Sequence, residues 1–127
     1  MPSYTIDIVP VPKPRMTQRD RWKQRPVVKN YHAFCDELRL LLPLPMRRPM
    51  LNQSIHELDI TFHIPMPDKS WSKKKRAELE GKPHQQKPDI DNLLKAWMDC
   101  LYRNDQVIWK VSVSKLWSVK GAIEVRL

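Results

Sequence analysis

The chain has 127 residues and a formal net charge of +9, from 23 lysines and arginines against 14 acids. Its longest mainly apolar stretch, residues 40–46, contains two prolines and is far shorter than the ~20 residues that a membrane span needs, so we expect no membrane segment. At the start of the chain no basic head precedes an apolar block, so we expect no signal peptide. The length predicts one domain. The basic excess indicates a polyanionic partner, most often nucleic acid, with a basic surface kept for solubility as the alternative.

The cysteines and histidines predict neither a disulfide scaffold nor a zinc site. Cys35 and Cys100 are too few for a scaffold and fall within predicted helices, so we expect buried, reduced thiols in a cytoplasmic protein. The four histidines share no metal-ligand spacing with these cysteines.

The first predicted element is a strand over residues 3–9, where apolar and polar side chains alternate until a run of prolines ends it. Residues 13–29 are strongly basic with one acid, and such a segment cannot pack a core. We therefore predict a basic loop or arm at about 13–29 that contacts nucleic acid. The side chains assigned to this contact are Arg15, Arg19, Arg21, Lys23 and Arg25.

The middle of the chain predicts a helix over about 30–42, capped by Asn30 and ended by Pro43, and then a strand over 55–64. A short helix follows, capped by Ser70 or Ser72. Its basic face either grips phosphates or is an ordinary solvated surface, and consists of Lys73, Lys74, Lys75 and Arg76.

An apolar stripe predicts the clearest helix, over about 91–103. The tail predicts a β-hairpin with arms at 107–117 and 122–127 and a turn at Lys120-Gly121. The order of elements predicts an α/β (α+β) fold, a small mixed sheet with helices packed on it, ending in a β-hairpin.

The start of this last helix is the candidate site. Asp89 and Asp91 enter the helix together, and Asp91, Lys95 and Asp99 share one face at spacings of four residues. These acids either cap the helix and form a surface ion-pair ladder, or join Asp105, just past the helix, in a cluster. Clustered carboxylates in a basic protein suit Mg²⁺, which can activate water against a phosphodiester.

Two tryptophans and one histidine are further candidates outside the acid motif. Trp22 and Trp71 lie among basic residues and either stack on unpaired bases or pack on their own loops. His84, in the loop before the acids, is the histidine that we would test for catalysis.

Residues 87–101, KPDIDNLLKAWMDCL, followed by Asn104-Asp105 and a strand reaching Lys115, resemble the RusA family of Holliday-junction resolvases. That family has an Asp-x-Asp-Asn-x-x-Lys helix start, an acid four residues after the lysine and another acid shortly after the helix. Residues 4–14 also resemble the family's first strand and its proline-rich basic loop, whereas residues 43–86 match in general character.

The resemblance implies an α/β homodimer that binds branched DNA, the four-way junction, and cuts it by paired nicks. It implies Mg²⁺ as the cofactor, or Mn²⁺ in its place, and a bacterial or phage origin. The sequence itself contains no glycine-rich loop, so we expect no nucleotide cofactor. The whole chain, 1–127, would then be one nuclease domain. The alternative is a non-catalytic basic DNA- or RNA-binding module.

Motif position assigns roles to individual residues. The metal-binding catalytic acids correspond to Asp89, Asp91 and Asp105, and the essential lysine to Lys95. Asn92 and Asp99 match residues that support the site. Pro88 stands where some members carry an arginine that contacts DNA, so Lys87 or the basic run at 73–76 would take over that contact.

Overall fold

Alternating apolar residues form four strands in the computed structural model, which describes residues 3–17, 23, 25–51, 57–102 and 105–126. Arg19 and Arg21, which the sequence assigns to nucleic-acid contact, lie outside the described residues, as does Trp22, for which base stacking and loop packing were both open. The strands are β1 (Ser3–Ile6), β2 (Glu57–Pro65), β3 (Lys110–Ser118) and β4 (Ala122–Arg126). The helices are α1 (Pro26–Leu41), α2 (Leu44–Leu51), α3 (Lys73–Leu79) and α4 (Ile90–Leu101), with a 3-10 turn at Asp105–Val107.

The sheet has the strand order β1-β4-β2-β3, with β2 parallel to β3 and antiparallel to β4. The predicted terminal hairpin is therefore wrong, because β2 lies between β3 and β4. The physical reason is that β2 buries side chains on both of its faces, including Thr61, which suits the centre of a sheet. Gly121 is required by packing: an added Cβ would lie 2.8 Å from Val9 Cγ2.

Two helices differ from the sequence prediction. Helix α1 begins at Pro26, with Arg25 as its N-cap, so Asn30 lies inside the helix and not at its start. Proline suits the first helical position, where its missing N–H has no partner to lose, and the buried side chain of Val28 extends the apolar stripe. Helix α2 was missed because prolines interrupt its sequence, yet Pro45 occupies its first turn, where proline is tolerated.

The core forms where the apolar stripes of α1 and α4 meet the even-numbered residues of β2. Trp97 of α4 and Phe62 of β2 are among the largest fully buried side chains. The odd-numbered residues of β2 point to the other face, where Asp59 and His63 pair with charged residues of β4. The fold is thus a helical layer on one face of a mixed sheet. Within the described ranges, no helix has the length and apolar character needed to cross a membrane.

The two cysteines form a disulfide between α1 and α4, which corrects the prediction of reduced thiols. The packing of the two helices brings the Cα atoms of Cys35 and Cys100 to 5.2 Å, within the range that a disulfide spans. Their separation of 65 residues gave the sequence no local signal of this pairing. Arg39 of α1 adds a second link by donating its Nε–H to the carbonyl oxygen of Cys100 at 2.8 Å.

Candidate active site

Two carboxylates, those of Asp89 and Asp91, lie at the N-terminus of α4, and the Asp89 side chain is not used to cap the helix. Asp89 is the N-cap residue by backbone geometry, but its side chain makes no capping hydrogen bond. Asp91 lies in the first turn, where its Oδ1 accepts the backbone N–H of Asn92 at 3.0 Å. The positive end of the helix dipole attracts anionic groups to this position. The interpretation of Asp89 as a side-chain cap is therefore not supported.

Both carboxylates line one open groove of about 560 Å³, together with Lys87 and Lys115. A second groove of about 430 Å³ shares Lys87 and Asp89 with the first and is also lined by Pro12 and Asn92. Paired carboxylates flanked by ammonium groups are suited to holding a divalent cation beside a bound phosphate.

Lys115 fixes the loop that leads into this helix start. Its Nζ donates to the carbonyl oxygens of Gln86 at 2.5 Å and of Pro88 at 2.7 Å, and the Lys87–Pro88 peptide bond is cis. Sequence reasoning gave Lys115 no role. A signal was present, because Lys115 lies on the same face of β3 as Val113 and Trp117, and a lysine on the inward-facing side of a strand needs a partner.

Lys95 and Asp99 of α4 form the ion pair that their spacing predicts, with 4.0 Å between Lys95 Nζ and Asp99 Oδ2. A closer partner of the same oxygen is Lys13, whose Nζ donates a hydrogen bond to it. This hydrogen bond raises the pKa of the Lys13 ammonium, against the lowering effect of burial. Lys13 was predicted to belong to a loose arm, but its backbone N–H also donates to the carbonyl oxygen of Asn92 at 3.1 Å.

Asp105 lies in the 3-10 turn after α4, near enough to Lys13 to contribute to the raised pKa of that lysine. The expected meeting of Asp105 with Asp89 and Asp91 is not formed: among the described residues, no group of three or more His, Cys, Asp or Glu side chains is arranged to hold a metal ion. The 12 residues of α4 span about 18 Å. Asp89 and Asp105 flank opposite ends of this helix.

The described part of the arm leaves cationic side chains in solvent. Arg15 and Lys23 are exposed. The guanidinium of Arg25 donates to the carbonyl oxygen of Arg15 at 2.6 Å, which ties the start of α1 to the loop before it. Lys87 is exposed beside Asp89 at both grooves.

The basic run on α3 is only partly available to phosphate. Of the two predicted caps, Ser70 and Ser72, it is Ser72 that caps this helix, accepting the backbone N–H of Lys75. Lys75 places its Nζ 4.2 Å from the ring centre of Trp71, and Arg76 forms an ion pair with Asp68 at 2.8 Å. The remaining two residues of the run, Lys73 and Lys74, are exposed.

Aromatic packing fixes His84 at the edge of the carboxylate groove. The His84 side chain is buried, its ring centre lies 4.3 Å from that of Trp117, and Trp71 packs on the same tryptophan at 4.8 Å. Burial, followed by the nearby charge of Lys115, lowers the pKa of His84. His84 Nδ1 finds no hydrogen-bond partner within the described ranges. A neutral imidazole thus borders the two carboxylates, while Trp71 is engaged in packing.

A carboxylate pair in a lysine-flanked groove of a basic α/β protein is typical of enzymes that cut nucleic acid. The family described as Endodeoxyribonuclease RusA matches residues 7–127, and the chain belongs to this family. The protein is therefore an endodeoxyribonuclease of the Holliday-junction resolvase class. The match covers residues 43–86, where the sequence resemblance was general in character. No curated protein matches the chain.

Proposed function

We propose that the protein resolves four-way DNA junctions by paired nicks that require Mg²⁺. The observation that carries the proposal is that Asp89 and Asp91 share one lysine-flanked groove in a chain of the RusA family. The whole chain, 1–127, acts as one nuclease domain in this proposal.

The donor groups at the helix start fit a hard divalent cation. Mg²⁺ is usually bound through one or two carboxylates, with water and substrate phosphate completing its coordination, and Asp89 and Asp91 supply such a pair. From its position in the family motif we also assign Asp105 a role in cleavage, separate from the Asp89–Asp91 pair. The bound metal would activate water and stabilise the leaving oxygen of the phosphodiester, and Mn²⁺ would substitute for it.

The lysines of the site have separate tasks in this proposal. Lys95 is 57% exposed, one turn of α4 beyond Asp91, and stabilises negative charge that develops on the phosphate under attack. Lys115 positions the loop before Asp89 through its two carbonyl contacts. Asn92 and Asp99 are the supporting residues: the carbonyl oxygen of Asn92 accepts the backbone N–H of Lys13, and Asp99 pairs with Lys13 and Lys95.

The surrounding cations hold the DNA backbone through its phosphates. We assign this contact to Arg15, Arg19, Arg21, Lys23, Arg25, Lys73, Lys74, Lys75, Arg76 and Lys87. Paired nicks need two active sites, and one chain has one Asp89–Asp91 pair. We therefore propose a homodimer with twofold symmetry, which matches the symmetry of a four-way junction.

The second candidate function is a non-catalytic basic module that binds DNA or RNA. This function is favoured by the positions of Asp89 at the N-terminus of α4 and Asp105 after its C-terminus, because acids so placed do not bind one metal ion together. The two functions differ in one observable property, which is strand cleavage.

The test is incubation of the protein with a synthetic four-way junction, with and without Mg²⁺. We expect symmetric nicks only with the metal. Asp91→Asn should bind the junction normally and lose cleavage by about 100-fold or more, the scale of removing one electrostatic contact from an active site. Asp105→Asn should behave in the same way.

Asp36→Asn is the matched control, because Asp36 is an exposed acid that pairs with Arg39, a residue without an assigned DNA contact, and it lines neither groove at Asp89. Cleavage by Asp91→Asn at the wild-type rate would disprove the assigned site. Binding without any cleavage of branched DNA by the wild type would establish the binding module instead.

A further inference from the structure

Two lysines from different parts of the chain face the carboxylate of Asp99. Lys13 Nζ is hydrogen-bonded to Asp99 Oδ2, and Lys95 Nζ lies 4.0 Å from the same oxygen. The Lys13 and Asp99 side chains are 27% and 24% exposed, whereas Lys95 is 57% exposed. Asp99 is thus paired mainly with the lysine from outside its own helix.

Lys13 is held at both of its ends. Its backbone N–H bonds the carbonyl oxygen of Asn92 in the first turn of α4, and its ammonium reaches Asp99, seven positions further along the helix. These seven positions correspond to about 10 Å of helix. Pro12 and Pro14 flank Lys13 and restrict the backbone on either side of it. The Lys13–Asp99 contact is therefore preorganised.

We propose that Lys13 is a positioning residue for Lys95, because its hold on Asp99 keeps the Lys95 ammonium out of a close ion pair and available to the DNA phosphate. The inference rests on the role in cleavage that we proposed for Lys95. It gives Lys13, at the proline-flanked start of the 13–29 segment, a role in the cleavage step that is distinct from contact with the DNA backbone.

The proposal predicts a specific pattern of loss and rescue. In Lys13→Met, Asp99 loses its closest cation and draws in Lys95, which competes with the phosphate. We expect the single-turnover cleavage rate at saturating protein to fall about tenfold or more, as when a residue that orients an active-site group is removed, with unchanged affinity for the junction. Adding Asp99→Asn to Lys13→Met should release Lys95 and restore most of the lost rate.

Conservative variants separate charge from folding. Lys13→Arg keeps a cation against Asp99 and should retain the wild-type rate, whereas Lys13→Gln keeps a hydrogen-bond donor without charge and should fall between Lys13→Met and the wild type. Circular dichroism checks that each variant is folded. Lys120→Met is the matched control, because Lys120 pairs with Asp7 at 3.6 Å through exposed side chains and contributes to neither groove.

Each alternative role of Lys13 has its own outcome. A direct DNA contact would weaken junction binding in Lys13→Met without rescue by Asp99→Asn. A purely structural clamp would lower the rate without rescue. A wild-type rate in Lys13→Met would show that the lysine has no role. Each of these three results overturns the proposal.

A second measurement uses the protein alone, without DNA or metal. Reductive methylation followed by mass spectrometry reports how readily each lysine reacts. Lys95 should react more slowly in Lys13→Met than in the wild type and recover its rate in the double variant. Unchanged labelling of Lys95 would overturn the inference. Failure of the wild type to cut branched DNA, by contrast, would overturn the proposed function and leave the labelling result interpretable.

Discussion

The His84 imidazole is a neutral group beside a charged site. It is 3% exposed and packs on Trp117, and burial lowers its pKa from the ordinary value of 6.5. The unfolded chain therefore takes up a proton at higher pH than the folded protein does. The stabilisation from a neutral His84 is fully present above pH 6.5 and is lost as the pH falls below 6.5 through the lowered pKa of the folded state.

His84→Phe tests this pH dependence, because phenylalanine keeps a ring against Trp117 and cannot take up a proton. We expect the free energy of unfolding, measured with urea between about pH 8 and pH 5 where histidines titrate, to decline less steeply in His84→Phe than in the wild type. His32→Gln, at an exposed histidine, should keep the wild-type slope. Parallel curves for wild type and His84→Phe would refute the prediction.

Residue by residue, the sequence predicts the acids better than the cations that surround them. Asp89 and Asp91 stand in a compact motif at a helix start, so their common location follows from local spacing. Lys13 acts through a side chain that reaches across to α4, and this contact joins positions 86 residues apart. Lys115 depends in the same way on the packing of β3 against the loop before α4. Contacts of this kind exist only once the elements are packed.

Among the elements, α4 was predicted to within two residues because its apolar stripe is decided by the helix itself. The pairing of the last two strands, by contrast, was not predictable from their own sequence. Two strands joined by a short turn pair with each other by default, but the pairing of β4 with β2 depends on which strand occupies the centre of the sheet. That choice is set by the burial of β2 on both faces, which involves the whole chain.

The disulfide between α1 and α4 makes a prediction about the stability of this helical pair. In the chain-entropy view, closing a loop of 65 residues stabilises the folded state by about 4 kcal/mol, through restriction of the unfolded chain. We expect a reductant to lower the free energy of unfolding of the wild type by an amount of this order. Cys35→Ala/Cys100→Ala should be less stable than the oxidised wild type and insensitive to the reductant.

Thiol titration under denaturing conditions completes this experiment. The oxidised protein should show no reactive thiol, because both cysteines are in the disulfide. Two reactive thiols per chain, together with stability that does not respond to the reductant, would support the reduced cysteines expected from the sequence.

At the scale of the whole molecule, the cations behind the net charge of +9 fall into those paired within the chain and those exposed to solvent. Some cations are committed to contacts within the chain, as Arg39 is to the carbonyl of Cys100 and Arg126 is to Asp59. Others, including Arg15, remain exposed near the start of the arm. Only the second group can release counterions from DNA, so net charge alone overstates the number of phosphate contacts.

Arg15→Ala measures one such contact through the salt dependence of binding. Each phosphate neutralised contributes about 0.9 to the slope of log binding constant against log salt concentration for duplex DNA. We expect Arg15→Ala to reduce the slope by about this amount on any junction sequence, because a phosphate contact carries no base information. The hydrogen bond from the Arg25 guanidinium to the backbone carbonyl oxygen of residue 15 does not depend on the Arg15 side chain and remains in the variant. Lys120→Ala removes an exposed cation that is paired with Asp7 and should leave the slope unchanged. Equal slopes for Arg15→Ala and the wild type would place the DNA away from the start of the arm.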